Sequence, residues 1–414
     1  MVGVARGMRR PMRKTRILNV WDDDGHEIGT FVQRKRTITF EYAPGAPRTP
    51  ISLSLPREGG WNEQAPEAFL ENLLPENSGA RFAMMRAQGG KSTDAFSLLD
   101  GVDSTGGLVF SSEDHKPTPA ATPVVRAEED DIAARIAAVE NSPVSWFHRD
   151  PDARFSLAGA QGKFAAARVA DTWFWSNAIL PSTHLFKPDS RSFPGIMDLE
   201  NAGMTLAMLC GIDTPSHGIE TFSGKSTYII ERFDRAIDGT GIRRLRCEDL
   251  LQALGLLPED KYKPTARDCL DLLARIDPDQ GMRLEWVRRL MFGVHTGNSD
   301  MHAKNTSVMP MEDGSWRLTP VYDQLTVNAL PDVGHTLAMP INGVDRSEQV
   351  SRDDWMRFAD RNGLDSDRIS RMLDETVASI LSHLPEAAAL IGDDDLRARY
   401  EKTVLRSTGS ARIA

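Results

Sequence analysis

Residues 298–305 read NSDMHAKN and bring an acid, an imidazole, a lysine and an amide close together. Phosphoryl transfer from ATP needs a carboxylate to orient the attacking hydroxyl and oxygen ligands to hold Mg²⁺ on the phosphates. Asp300 and Asn305 have the D-x-x-x-x-N spacing that protein kinases use for these two roles. His302 and Lys304 lie between them, and we expect both to stabilise charge on the transferred phosphoryl group. The alternative is a solvated loop in which Asp300 caps a helix, Asn305 makes a turn and His302 only packs against its neighbours.

The segment after this loop predicts a second metal ligand. Residues 307–309 and 316–319 have the pattern of two short strands joined by a polar turn at 312–314. Asp323 follows this hairpin within the sequence YDQ, where kinases place another metal-binding aspartate. Because Mg²⁺ needs few protein ligands, Asp323, Asn305 and the phosphates of ATP can satisfy its oxygen coordination.

A lysine and a glutamate upstream predict the contacts to the α and β phosphates. Residues 183–188, THLFKP, read as a strand that ends near Lys187, and Glu200 lies on a predicted helix at 198–210. In kinases such a lysine binds the phosphates and is held by a glutamate. Each residue also has a plainer reading, since Lys187 fits a solvated strand end and Glu200 fits an acid favoured by the helix dipole.

Residues 155–164, FSLAGAQGKF, form a run of small residues with two glycines. Gly159 and Gly162 would let backbone N–H groups approach phosphates closely, although the run is neither a Walker A sequence nor a dinucleotide-binding fingerprint. A plain hairpin is the alternative. The residues predicted to contact ATP here are Ser156, Ala158, Gly159, Ala160 and Gln161.

Residues 226–233, STYIIERF, read as a strand that leads into a hinge between two lobes. Backbone groups around Glu231 and Phe233 are predicted to bind the adenine edge, and Asp234 is predicted to reach the ribose. A buried strand capped by a turn would fit the same residues.

These motifs resemble the HipA kinases, the toxin halves of bacterial toxin–antitoxin pairs. The resemblance spans most of the chain and is carried by SLAGAQGK, STHLFKP, IERFDR, EDLLQALGL, the 298–305 loop and LTPVYDQLT, with ISLSLP and FLENLLPE in the first third. It implies an α+β fold with two protein-kinase-like lobes, a β-rich small lobe and a helical large lobe. It also implies an additional β-rich N-terminal subdomain. We expect ATP to lie in the cleft between the lobes.

The resemblance further implies a serine/threonine kinase that arrests growth and uses ATP and Mg²⁺. Family members phosphorylate translation proteins such as aminoacyl-tRNA synthetases, and a small helix-turn-helix antitoxin (HipB-like) neutralises them and supplies any contact to DNA. By position, Ser156 resembles the autophosphorylated serine, Lys187 the ATP lysine and Asp300 the catalytic acid. Asn305 and Asp323 resemble the metal ligands.

Composition sets further limits on the 414-residue chain. The net charge of −10 argues against binding nucleic acid without a partner. Because no window has the roughly 20 apolar residues of a membrane helix, we expect a soluble protein without membrane contact. Cys210, Cys247 and Cys269 lack metal-ligand spacing, so we expect three core thiols in apolar helical segments of a cytoplasmic protein.

Composition also predicts the division of the chain. We expect a basic arm at 1–16, the N-terminal subdomain at 17–110, a Pro- and Thr-rich linker at 111–126, the small lobe at 127–235 and the large lobe at 236–414. The N-terminal subdomain is expected to contact the antitoxin and to be dispensable for the chemistry. Two other functions stay open: a small-molecule phosphotransferase of the same fold, and a binding module in an antitoxin–DNA repressor complex.

Overall fold

The N-terminal subdomain is built on a four-stranded antiparallel sheet. The computed structural model describes residues 15–116, 123–141, 162–177, 180–238, 241–331 and 333–412. The sheet has the order β3-β2-β1-β4 and contains β1 (Arg16–Trp21), β2 (Glu27–Arg34), β3 (Thr37–Tyr42) and β4 (Val109–Ser111). In β3, Ile38 and Phe40 are buried and alternate with exposed polar residues, as a strand covered on one face requires.

Three helices cover the inner face of this sheet: α1 (Ala65–Glu71), α2 (Ser78–Ala87) and α3 (Ala95–Leu98). The ring of Phe69 from α1 stacks on that of Phe31 from β2, with 5.7 Å between centroids. Arg16, which we predicted to belong to the basic arm, instead begins β1 and pairs with Asp94 at 2.8 Å. Ser111, predicted to open the linker, is the last residue of β4.

The small lobe is a five-stranded antiparallel sheet flanked by two helices. Its order is β6-β5-β7-β9-β8, and the stacked rings of Phe164 and Phe186 lie in its core. Its elements are α4 (Glu129–Asn141), β5 (Phe164–Val169), β6 (Thr172–Trp175), β7 (His184–Lys187), α5 (Ile196–Leu209), β8 (His217–Phe222) and β9 (Lys225–Glu231).

The large lobe is mainly helical, with short hairpins at its edge. Its first elements are β10 (Arg235–Asp238), β11 (Gly241–Arg244), β12 (Glu248–Asp249), α6 (Leu250–Ala253), α7 (Ala266–Ala274) and α8 (Gly281–Thr296). These are followed by β13 (Ser307–Pro310), β14 (Trp316–Leu318), β15 (Thr336–Ile341), β16 (Val344–Arg346), α9 (Arg352–Arg361), α10 (Ser366–Ala388) and α11 (Asp394–Arg412). One apolar core joins α5 of the small lobe to α10 and α11, so the two lobes pack through helices.

The predicted α+β fold with two lobes and an N-terminal subdomain is confirmed. Helix α6 is short, because β12 takes up the two residues before it and Asp249 then caps α6 by accepting the N–H of Gln252 at 2.8 Å. One local prediction was wrong. Cys247 lies in the segment between β11 and β12 and not in a helix. Within the described ranges, no helix is both long and apolar enough to span a bilayer.

Buried polar contacts fasten the N-terminal subdomain to the rest of the chain. The carboxylate of Glu248 accepts the hydroxyl of Ser52 at 2.5 Å and the N–H of Leu53 at 2.8 Å. Asp103 pairs with Arg235 at 3.0 Å and with Arg244 at 2.7 Å. Because each partner is largely shielded from water, breaking one of these pairs would leave a buried charge uncompensated. The subdomain is therefore docked firmly.

Candidate active site

Lys187, Glu200 and Asp323 meet at the junction of the lobes. Lys187 is the last residue of β7, and its Nζ lies 2.5 Å from Oε1 of Glu200 on α5. The same ammonium contacts the carboxylate of Asp323, which follows the β13–β14 hairpin. Lys187 and Glu200 are buried, whereas the side chain of Asp323 is 35% exposed. The structure thus brings together three residues that the sequence separates widely.

The charges in this cluster shift the pKa values of their neighbours. Partial burial opposes ionisation of Asp323, but the ammonium groups of Lys187 and Lys163 outweigh this effect and lower its pKa to about 2. Burial also disfavours the charged form of Lys187, and the two carboxylates outweigh that effect and raise its pKa. Burial raises the pKa of Glu200, an effect that Lys187 opposes and the charge of Asp323 reinforces. Lys187 is therefore a fixed cation, and Asp323 stays ionised at neutral pH.

Asn298 joins the two aspartates that the sequence predicts to share a metal–nucleotide site. Its side-chain Oδ1 accepts the N–H of Asp300 at 3.2 Å, while its Nδ2 donates to the carbonyl of Asp323 at 3.3 Å. The loop begins after α8, where Gly297 with φ of 74° ends the helix in the left-handed conformation. One amide therefore holds the backbone at Asp300 next to the backbone at Asp323.

Asn305 and Asp323 are the two residues that the sequence predicts to bind the metal. Nδ2 of Asn305 donates to the carbonyl of Asp300 at 2.8 Å, which orients the amide. The Oδ1 atom of Asn305 has no hydrogen-bond partner in the described part of the chain and is therefore free to bind a cation. The carboxylate of Asp300 is 43% exposed. Asp323 adopts a φ of 54°, an uncommon conformation that aspartate tolerates better than most residues. A carboxylate and an amide oxygen are suitable ligands for Mg²⁺.

His302 and Lys304 lie in the loop, but their contacts differ from those expected of groups open to a phosphoryl group. Nζ of Lys304 is buried and donates to Oδ1 of Asn72 and Oδ2 of Asp249, each at 2.8 Å. His302 is also buried, and burial lowers its pKa. Lys304 therefore ties the loop to neighbouring elements.

Phe233 and Glu231, the two residues predicted to lie near the adenine, have different surroundings. The ring of Phe233 stacks on Tyr322, next to Asp323, with 5.5 Å between centroids. The backbone N–H of Glu231, at the end of β9, donates to the carbonyl of Ser216 at 2.8 Å. Phe233 thus lies beside the predicted metal site.

Asp234 is not placed to reach a ribose, which differs from our prediction. Its carboxylate is buried. Both oxygens accept hydrogen bonds from the guanidinium of Arg232, at 2.9 and 2.8 Å, and Oδ2 accepts another from Arg235 at 2.9 Å. Burial opposes its ionisation, but Arg232 and Arg235 prevail and lower its pKa. Because its oxygens are occupied by guanidinium groups, Asp234 fixes the hinge backbone and is not a ligand for nucleotide.

The glycine-bearing loop falls largely outside the described residues. The five predicted ATP contacts there are Ser156, Ala158, Gly159, Ala160 and Gln161, and none of them is described. The structure does describe Lys163 just before β5, and this residue was missed. Its side chain is buried, and burial together with the charge of Lys187 lowers its pKa to about 8. The available signal was a single lysine that follows Gly162 within a run of small residues.

Gly203 is a second residue that the sequence motifs did not identify. It lies on α5 one turn after Glu200 and faces the backbone that carries Asp323. A Cβ at this position would stand 2.1 Å from the carbonyl oxygen of Gln324. Glycine therefore permits helix α5 to approach the backbone next to the predicted metal ligand.

Comparisons with known proteins identify the family to which the chain is related. Residues 155–384 match the HipA-like C-terminal domain, and residues 18–110 match the HipA N-terminal domain. Y4mE of Sinorhizobium fredii, named as a candidate kinase, is 31% identical over 91% of this chain and 94% of its own. The serine/threonine-protein kinase toxin HipA of Shewanella oneidensis is 26% identical over 81% of this chain and 82% of its own.

A solved structure agrees at the level of the fold. It contains the Shewanella oneidensis toxin–antitoxin proteins HipA and HipB with operator DNA, and the matching chain aligns with a TM-score of 0.81 at 22% identity. The match covers 95% of this chain and 97% of the other. Fold and site together define a protein-kinase-like enzyme. The chain belongs to the HipA family of serine/threonine kinase toxins.

Proposed function

We propose that this chain transfers the γ-phosphoryl group of ATP to serine or threonine hydroxyls of a protein, with Mg²⁺, and thereby arrests growth. The observation that supports this most is the bridge made by Asn298, which holds the backbones of Asp300 and Asp323 together. Phosphoryl transfer depends mainly on positioning and electrostatics, so a fixed distance between the orienting carboxylate and the metal ligand is what the reaction needs.

Each residue of the site then has a role in the proposed transfer. Lys187, held by Glu200, binds the phosphates, and Asn305 and Asp323 hold the metal that neutralises phosphate charge. Asp300 orients the acceptor hydroxyl and takes its proton while the bond from oxygen to the γ-phosphorus forms and the bond to the β-phosphate oxygen breaks. The products are ADP and a phosphorylated side chain.

The finer assignments follow the family resemblance. Backbone groups around Glu231 and Phe233 would receive the adenine, with Phe233 supported by Tyr322. Ser156, which lies outside the described residues, would be autophosphorylated, and the added charge of about −1.5 to −2 would repel ATP. A translation protein such as an aminoacyl-tRNA synthetase would be the substrate.

We also propose a HipB-like helix-turn-helix antitoxin as the partner that neutralises the chain. The similarity of fold to the chain in the HipA–HipB–DNA structure supports this assignment. Any DNA contact would come through the antitoxin, because a chain with a net charge of −10 is repelled by a polyanion.

Transfer of label from γ-labelled ATP tests the proposal. Purified protein is incubated with Mg²⁺ and a cell lysate, and the wild type is compared with Asp300→Ala and with Asp24→Ala, an exposed acid in the β1–β2 turn. Loss of the orienting carboxylate should reduce labelling roughly 10²-fold or more, whereas Asp24→Ala should behave like the wild type.

The outcomes separate the candidate functions. Labelling of Ser156 and of a translation protein, both lost in Asp300→Ala, is the expected result. Turnover of a metabolite without protein labelling would favour a small-molecule phosphotransferase. ATP binding without any transfer would favour a binding module.

A further inference from the structure

The carboxylate of Asp300 already holds a hydroxyl group from its own chain. Tyr262 follows the short 3₁₀ turn Pro258–Asp260 in the large lobe, and its phenol donates to Oδ1 of Asp300 at 2.8 Å. The residue is 56% exposed, so most of its ring faces solvent at the edge of the site. A hydroxyl donating to this carboxylate is the contact that a kinase acceptor must make.

Neighbouring side chains hold the Tyr262 ring in this position. The ring meets that of His302 edge to face, with 5.3 Å between centroids. On another side Nζ of Lys261 lies 5.3 Å from the ring centroid and pairs with Glu76 of the N-terminal subdomain at 2.9 Å. These contacts are individually weak, because cation–π and aromatic pairs at exposed positions contribute little to stability. The phenol is therefore placed on Asp300 but can be displaced.

The phenol of Tyr262 is protonated at neutral pH and therefore acts as a hydrogen-bond donor. Burial of the hydroxyl and the negative charge of Asp300 both raise the pKa of Tyr262. A phenol has one hydrogen to donate, and Asp300 receives it. The second carboxylate oxygen of Asp300 lies 3.8 Å from Nε2 of His302, a longer separation than a hydrogen bond.

We propose that Tyr262 marks the acceptor site and that its phenol occupies the position on Asp300 into which the serine or threonine hydroxyl of a protein substrate must move. This inference rests on the proposed kinase activity. An acceptor hydroxyl must come within hydrogen-bond distance of the carboxylate that takes its proton, so the phenol and the substrate compete for Oδ1 of Asp300. The exposed ring opens directly to solvent, which gives an extended segment of a protein access to the site.

The competition extends to water, which provides a test that needs no identified substrate. When water takes the acceptor's place, its oxygen bonds to the γ-phosphorus, the bond to ADP breaks and a proton passes to Asp300, giving ADP and inorganic phosphate. The phenol in place suppresses this hydrolysis. Removing its hydroxyl should therefore increase it.

The test compares Tyr262→Phe with the wild type in MgATP without a protein acceptor, by the initial rate of phosphate release. The expected result is a rise of about three- to tenfold, the factor that a net hydrogen bond of ordinary strength represents. Tyr400→Phe is the matched control, because this buried phenol has no hydrogen-bond partner in the described part of the chain. Asp300→Ala should abolish the hydrolysis both in the wild type and in Tyr262→Phe.

A second measurement uses dephosphorylated casein as a generic acceptor. Tyr262→Phe should lower the KM for casein and leave kcat nearly unchanged, since only competition is removed. A fall in kcat, or an unchanged rate of hydrolysis at an unchanged melting temperature, would overturn the inference. Phosphate found on Tyr262, at a fractional rate independent of enzyme concentration, would support it, because transfer within one molecule requires the hydroxyl to lie in the acceptor position. If neither the wild type nor Tyr262→Phe consumes ATP with water or with casein, the kinase proposal itself fails.

Discussion

Lys304 of the catalytic loop and Asn72 of the N-terminal subdomain are joined by a buried hydrogen bond of 2.8 Å between Nζ and Oδ1. Asn72 also donates to the carbonyls of Ala68 and Leu256, each at 2.8 Å, so its amide has no freedom to rotate. On the other side of Lys304, its carbonyl accepts the hydroxyl of Tyr322, the residue before Asp323. A subdomain that we expected to be dispensable for the chemistry therefore touches the loop that carries it.

Asn72→Ala should consequently lower kcat by about tenfold or more while ATP binding is retained, because Lys304 loses one of its two partners. The loss of three hydrogen bonds, two of them fully buried, should also reduce the free energy of unfolding by roughly 1–3 kcal/mol. Labelling kinetics and denaturant melts check both effects. Asn141→Ala, which removes an exposed amide at the end of α4, serves as the control. Full activity of the Asn72 variant would show that the contact is only a structural tie.

Gly203→Ala should impair catalysis without altering any residue of the site. The new methyl group would press on the carbonyl of Gln324, and backbone cannot move aside as a flexible side chain can. We expect at least a tenfold lower kcat and a loss of roughly 1–3 kcal/mol in the free energy of unfolding, typical of an overpacked interior. Gly218→Ala is the matched control, because its Cβ would meet nothing within 4 Å. Equal activity of both variants would contradict the proposed coupling between α5 and Asp323.

Lys163 should make the affinity for ATP depend on pH. Its pKa of about 8 means that its positive charge is lost as pH rises through 8. If the ammonium contacts phosphate, the Kd for ATP should increase by up to about tenfold between pH 7 and 9. Lys163→Arg should remove most of this increase, since a guanidinium stays charged. Lys263→Arg, at an exposed position, is the control, and a pH profile unchanged by Lys163→Arg would refute the contact.

His295 should make the fold less stable in mild acid. Its Nδ1 donates to the carbonyl of Ser407 at 2.7 Å, and its Nε2 accepts the indole N–H of Trp355 at 3.0 Å. Because Nε2 acts as an acceptor, it carries no proton and the buried ring is neutral. Burial lowers its pKa to about 4 from 6.5 in the unfolded chain. Between those values the unfolded state binds the additional proton, so stability rises with pH.

From pH 7 to pH 5 this one group should reduce the free energy of unfolding by about 2 kcal/mol. Chemical denaturation at both pH values measures the loss. His295→Gln should show a loss smaller by that amount, while the part due to other histidines with lowered pKa values, such as His184, remains. An identical pH dependence in the wild type and the variant would exclude His295 as the cause.

The catalytic loop, its hairpin and the Lys187–Glu200 pair could be predicted because each depends on local spacing. The burial of Asp234 could not, since its guanidinium partners follow from the fold and the sequence RFDR fits an exposed turn equally well. The Asn72–Lys304 contact joins residues 232 positions apart, and no periodicity reports such a pairing. Asn298 is part of the motif, but its hydrogen bond to the carbonyl of Asp323 depends on the position of Asp323 in the fold, which the sequence does not give.

The left-handed backbone at Asp323 limits which side chains this position can carry. A short polar side chain can hydrogen-bond locally and tolerates the conformation, whereas branched or longer ones are penalised there. Glutamate would keep the negative charge and still disturb the main chain, so conserving charge would not conserve function. Asparagine is the cleaner way to remove the carboxylate, because it neutralises the group and leaves the path of the chain intact.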